Sequence, residues 1–209
     1  MPIAAIEWGQ VEPMQVVGER EIRHALLTKR LSALSRRADT LVVNELGLAH
    51  ARSRIDVAVI HRLIHGFEIK SAQDGLGRLA DQLTTYGQSL QKLTLVVAPR
   101  HLDRVLKMTP RWCGVLEILV GRRGGLTFKS IRRPSRNPEL DRFVVSHLLW
   151  REEVQGILAD RGIRGAALRA PRKDLYRKLV DLVSEPELIA LIKASMMQRR
   201  TWRDHPRLL

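Results

Sequence analysis

Three charged residues interrupt two apolar runs in the stretch RIDVAVIHRLIHGFEIKS, Arg54 to Ser71: Asp56 in the first run, Glu68 and Lys70 in the second. A charge set into a strand-like run is costly unless it is paired, solvated or bound to a metal. Both runs read as strands of a hairpin that turns near His61–Leu63. Alternation along a strand puts Glu68 and Lys70 on one face, about 6–7 Å apart. Pairing symmetric about Arg62 sets Asp56 opposite Glu68, where Cβ atoms come within about 4.5–5.5 Å. Two carboxylates that close repel unless a cation lies between them. A hard divalent ion suits that geometry, taking one or two carboxylates, a carbonyl and several waters; Mg2+ is the first expectation, with Mn2+ as its substitute. Lys70 beside them is placed to orient a water or to stabilise charge building on a phosphate. The plainer reading is a solvated sheet face with a surface Glu–Lys pair, which contributes only about a few tenths of a kcal/mol. Phe67, Ile69 and the apolar run Val57–Ile60 speak for burial instead.

The elements that must position these residues follow from periodicity and punctuation. Ile22, Leu26, Leu27, Leu31 and Leu34 recur at helical intervals, which predicts an amphipathic helix over Gly18–Leu34 after an irregular start. DTLVVNELGL reads as a strand and Gly47–Ser53 as a loop. LGRLADQLTTYGQSL reads as a helix, KLTLVVAP as a strand ended by Pro99, and RHLDRVLKM as a helix. WCGVLEILV is a further strand, and Gly121–Gly125 a basic turn into LTFKSI. Strand, strand, helix, strand, helix, strand is the pattern of an α/β sandwich. The run Leu93–Val97, apolar save for Thr94, is expected to be a central strand covered on both faces. A boundary is expected in RRPSRNPEL, dividing a core over 1–131 from a basic helical region over 132–209. Helices are expected there at Glu139–Ala159, Arg172–Val183 and Glu187–Arg199.

The totals narrow the partners. The 209 residues carry a net charge of +14, with 44% hydrophobic and 28% charged residues, the profile of a globular domain with a real core. Residues 121–209 hold 20 Lys/Arg against 10 Asp/Glu, whereas residues 1–120 hold 16 against 12. A basic half points to nucleic acid or another polyanion; a merely arginine-rich solvated surface is the alternative. Four Tyr or Trp residues lie in or near that half, so no stacking platform for single strands is advertised. No apolar run approaches the roughly 18 residues of a membrane span. The start MPIAAIEWGQVEPMQ has no basic-then-apolar pattern, which predicts a chain without a secretory leader. The single Cys113 fits a reducing, cytoplasmic setting.

Asp56, a hairpin, then Glu68-x-Lys70 and a helix resembles the active-site core of the PD-(D/E)xK nuclease superfamily over roughly Thr40 to Val120. Ile55 stands where the superfamily name has proline. The resemblance implies a restriction-endonuclease-like mixed sheet flanked by helices. It implies that Asp56 and Glu68 bind the metal with the Ile69 carbonyl, while Lys70 serves the attacking water. Glu45 sits where many members carry a further upstream acid. Gln82 and Tyr86 reproduce the Gln-x-x-x-Tyr of RecB-type members and, four apart, share one helix face. NEL, SRID and HGFEIKS together are also similar to a family of short stand-alone bacterial proteins without a settled function, and more distantly to MmcB-type repair proteins. Gly156–Val183 resembles a SAP-type helix–extension–helix, a DNA-backbone module, with Arg161, Arg164, Arg172 and Lys173 outermost for phosphates. The bland counterpart is a helical cap packed on the core through Leu158, Leu175, Leu179 and Val183.

Other candidates carry less. His61 and His65 are four apart across a turn rather than on a helix, a poor zinc spacing. Lys92, Arg100 and His101 flank a strand and read as solvated surface. Cys113 lies in an apolar strand without an evident partner, and DGLGRLAD lacks the lysine of a phosphate-cradling loop. The expectation is a Mg2+-dependent endonuclease acting on DNA, open to pairing as a homodimer or with a repair or defence protein. Two other readings stay open: a nuclease fold used as a DNA-binding module with weak catalysis, and a non-enzymatic protein that meets RNA or another polyanion.

Overall fold

A computed structural model describes residues 17–199, so most of the stretch expected to be irregular lies outside it. Six strands form one sheet in the order of the chain: β1 (Leu41–Leu48), β2 (Ser53–Ile60), β3 (Ile64–Lys70), β4 (Lys92–Val97), β5 (Gly114–Val120) and β6 (Leu126–Arg132). β1, β2 and β3 are an antiparallel meander, β4 and β5 join in parallel, and β6 closes the sheet antiparallel. The hairpin pairs as the symmetry about Arg62 requires, from Ile60↔Ile64 to Val57↔Phe67. β4 is buried from Leu93 to Val97, as a strand with neighbours on both sides and cover on both faces must be.

Parallel strands need crossovers. α3 (Leu79–Ser89) links β3 to β4, and α4 (Leu102–Met108) links β4 to β5. Two steps in one direction with right-handed connections put both helices on the same face. That face carries the larger apolar cluster, with Leu93, Leu95 and Val97 of β4 meeting Leu79 and Tyr86 of α3 and Val105 of α4. The opposite face is covered from the amino-terminal side by α1 (Glu19–Ala25), a π turn over Leu26–Arg30 and α2 (Ser32–Ser35). Ile22, Leu26 and Leu31 pack there on Val57, Phe67, Ile69 and Val96. The single helix expected over Gly18–Leu34 is thus interrupted. Leu26 and Leu31 are five apart and would diverge on an α-helix, and the π turn, with the Leu31 N–H donating to the Leu26 carbonyl, returns Leu31 to the sheet.

The carboxy-terminal helices are α5 (Arg142–Ser146), α6 (Arg151–Asp160), α7 (Arg172–Leu182) and α8 (Glu185–Gln198). Leu158, Leu175, Leu179 and Val183 lie in the same apolar cluster as the α3 face of the sheet, so these helices cap the core. The helix expected over Glu139–Ala159 is two. Asp141 caps α5, accepting from the Phe143 and Val144 amides, and the chain turns through His147–Trp150. Glu153 then reaches back to the Trp150 N–H to start α6. Among the described residues no helix is long and apolar enough to cross a membrane.

Candidate metal centre and basic cleft

Asp56 stands where the β2–β3 ladder ends. The last pair is Val57↔Phe67, and two residues past Phe67 the Ile69 N–H donates to Asp56 Oδ2 at 2.6 Å. Side chains from α1, β1, β2, β3 and α3 gather around this point, in two groups that Asp56 joins.

The first group lies toward α1. Glu45 sits in β1 with a φ of 56° and is exposed. Its carboxylate and that of Glu19, one turn before Arg23 on α1, both accept from the Arg23 guanidinium. Asp56 Oδ1 lies 3.8 Å from the same nitrogen, and Arg54 stands 3.7 Å from Glu45. Oxygens of Glu19, Glu45 and Asp56 all lie within 4.8 Å of one another. Burial works against the Arg23 charge, and the three carboxylates outweigh it and raise its pKa. The donor set is all carboxylate oxygen, which fits a hard divalent ion, and Arg23 holds the place of that positive charge.

The second group lies toward α3. Glu68 is 2% exposed. Its Oε1 accepts from Lys70 Nζ at 2.7 Å and from Gln82 Nε2 at 2.9 Å, and Oε2 faces the Tyr86 hydroxyl at 2.7 Å. Lys70 also donates to Gln82 Oε1 at 3.1 Å, and the Tyr86 hydroxyl is 2.8 Å from the Arg54 carbonyl. The i, i+4 spacing of Gln82 and Tyr86 puts both over the strand end that carries Glu68 and Lys70. Burial, and then the charge of Glu68, push Asp56 from 3.8 up to about 7.

The structure therefore brings Glu68, Lys70, Gln82 and Tyr86 into one hydrogen-bonded net, and Glu45 and Asp56 into one acidic cluster. Glu68 is not part of that cluster. Ile69 contributes its amide. Glu19 and Arg23 were not singled out from the sequence; the Glu-x-x-x-Arg spacing beside Ile22 and Leu26 was their available signal. His61 and His65 have separate partners, Asp39 and Thr94. Cys113 is buried, which pushes its thiol up to about 12.

The basic residues of the carboxy-terminal half divide. Arg161 pairs with Glu187 and donates to the Ile157 carbonyl, and Arg164 donates to the Ala159 and Ile163 carbonyls. Arg172 and Lys173, at the start of α7, are exposed and line a cleft against the β1–β2 turn. In that turn Ala49, His50 and Ala51 have φ of 48°, 59° and 62°. Left-handed backbone costs roughly 1–2 kcal/mol per non-glycine residue.

The fold and site together define a mixed α/β protein with a carboxylate–lysine centre at one end of its sheet and a basic helical cap. A family model for bacteriophage P4 protein cII matches residues 13–202, and the chain belongs to that family. Protein cII of Enterobacteria phage P4 is 30% identical over 149 residues, which cover 71% of this chain and 56% of that relative. The chain thus spans little more than half the length of the curated relative it matches. No solved structure matches it.

Proposed function

We propose that this protein is a restriction-endonuclease-like, metal-dependent nuclease that hydrolyses phosphodiester bonds in DNA. The observation that carries the reading is the closed net of Glu68, Lys70, Gln82 and Tyr86 beside Asp56 at the end of the β2–β3 ladder. Asp56, Glu68 and the Ile69 carbonyl would hold Mg2+ or Mn2+, with Glu45 and Glu19 adding negative charge beside them. An ion held by these residues would supply a more acidic bound water and positive charge opposite a phosphate. Lys70 positions the attacking water. Gln82 and Tyr86 fix the Glu68 carboxylate, and so are positioning residues. Water adds to phosphorus in line with the leaving oxygen, that P–O bond breaks, and the leaving oxygen takes up a proton. Arg172 and Lys173 hold the DNA backbone, with Arg161 and Arg164 further along a helical region that resembles a SAP-type module.

One observation favours a second reading, a DNA-binding module with weak catalysis: Arg23 holds the centre of the acidic cluster, where a cation would sit. Cleavage separates the two. The protein, Glu68→Ala and Lys70→Ala are incubated with single-stranded, duplex and branched DNA and with RNA, in Mg2+ or Mn2+. Cleavage by the parent alone supports the nuclease; equal background in all three overturns it. Salt-sensitive binding without cleavage selects the module.

A further inference from the structure

Two cavities meet at the β1–β2 turn. One, of about 310 Å³, is lined by His50, Phe143, His147, Arg172, Lys173 and Tyr176. The other, of about 360 Å³, shares His50, His147 and Arg172 and reaches Trp150. Among the described residues no Asp or Glu lines either. Both are open grooves at the surface rather than enclosed cavities.

The rings arrive from three distant parts of the chain. His50 and His147 stack with centroids 3.8 Å apart and planes 22° apart, and Tyr176 meets them edge-on at 6.3 and 5.5 Å. Burial, then the neighbouring His50 and Arg172, push His147 down to about 4, and burial with Arg172 and Arg52 lowers His50 as well. Both shifts favour the neutral form of the imidazoles, and Arg172 and Lys173 supply the charge. Trp150, 48% exposed, stands at the rim with the Arg199 guanidinium 4.2 Å over its ring. Aromatic faces beside cations, with no carboxylate in the wall, select a flat ring that carries a phosphate.

We infer that this cleft is a subsite for one unpaired nucleotide of a single-stranded chain, with the base against the exposed His50 and Trp150 rings, His147 backing His50 from behind, and its phosphate on Arg172 and Lys173. The inference rests on the nucleic-acid reading above and narrows its substrate to single strands or frayed ends, because paired bases inside a duplex cannot present a face to the rings. The path to the metal centre is short. Arg52 and Arg54, both exposed, lie between His50 and Asp56, and Ser53 to Asp56 is about 10 Å of strand. A backbone following those arginines brings a neighbouring phosphate to Asp56 and Glu68.

The test measures binding of the full chain, without divalent metal, to labelled dT8, rU8, an abasic chain of the same length and a closed hairpin duplex. A stacked base is expected to tighten binding about tenfold or more over the abasic chain. His50→Gly removes a ring while suiting the φ of 59°, and Trp150→Ala removes an exposed one; thermal melts verify that each variant folds. Either variant is expected to bring dT8 to within about threefold of the abasic chain, whereas Arg172→Ala with Lys173→Ala weakens all probes alike. A preference for dT8 or rU8 supports the subsite in either case and tells DNA from RNA. Equal affinity for base-bearing, abasic and duplex probes overturns it, as does base preference intact in both ring variants. Base preference without cleavage of any substrate in Mg2+ sinks the nuclease and leaves the subsite; cleavage without base preference does the reverse.

Discussion

Replacing Asp56 by asparagine should stabilise the metal-free protein, and only above acidic pH. The folded-state pKa of Asp56, about 7, lies above its ordinary 3.8. Between those values the folded protein holds a proton that the unfolded chain has lost, so stability falls as pH rises through the window. Roughly three pH units at about 1.4 kcal/mol each set the full penalty, on the order of 4 kcal/mol by pH 8. Asparagine keeps an oxygen to accept from the Ile69 N–H and carries no charge beside Glu68. The gain of Asp56→Asn should therefore be near zero at pH 4 and on the order of a few kcal/mol at pH 8. At about 2–4 °C per kcal/mol for a protein of this size, the melting temperature should rise by roughly 8–16 °C at pH 8. Thermal melts in EDTA across pH 4–8 read this directly. A gain of the same size at both ends, or a loss at pH 8, refutes the reasoning.

Arg23→Ala should leave Glu19, Glu45 and Asp56 without their shared cation, lowering the melting temperature in EDTA. Mn2+ should restore it by more than it raises the parent, and no such recovery would contradict the placement of charge. Tyr86→Phe removes the hydroxyl between Glu68 and the Arg54 carbonyl. Leaving buried acceptors without it should cost about 1–3 kcal/mol in denaturant melts and lower single-turnover cleavage; an unchanged melt contradicts this. Ala51→Gly, at a φ of 62°, should stabilise by about 0.5–1 kcal/mol, the relief of left-handed strain less the added chain entropy. Destabilisation would show the turn geometry to be misread.

What the sequence made legible was periodic or local. Alternation gave the hairpin register from Ile60↔Ile64 to Val57↔Phe67, but the ladder stops before the expected Asp56–Glu68 pair and Asp56 accepts from the Ile69 amide instead. The i, i+4 pair Gln82 and Tyr86 fell on the helix face that meets Glu68. The run Leu93–Val97, apolar save for Thr94, marked a strand with cover on both sides. What escaped was tertiary or sat in breaks of period. The π turn at Leu26–Arg30 reconciles a five-residue spacing that a regular helix cannot. The break at His147–Trp150 hides in an apolar run, although Asp141 and the reach of Glu153 to the Trp150 amide are capping signals. Arg23 reaches Glu45 only because α1 packs on the sheet face that carries Val57, Phe67 and Ile69. His50, His147, Trp150 and Tyr176 share no spacing, so composition gave no hint of the aromatic cleft that packing of α5 and α7 on the β1–β2 turn creates. The basic carboxy-terminal half was visible, but its division into Arg161 and Arg164, held by local acceptors, and Arg172 and Lys173, facing the cleft, depends on how the helices pack.

Anomalous diffraction from crystals soaked in Mn2+ tests the central claim most directly, because it locates the ion without reference to activity. A peak bonded to Asp56, with the Ile69 carbonyl or Glu68 beside it and Lys70 within reach of a bound water, is the predicted result. Crystals that cleave soaked DNA while Mn2+ sits elsewhere, or hold no Mn2+ at Asp56 at saturating concentration, would contradict the account.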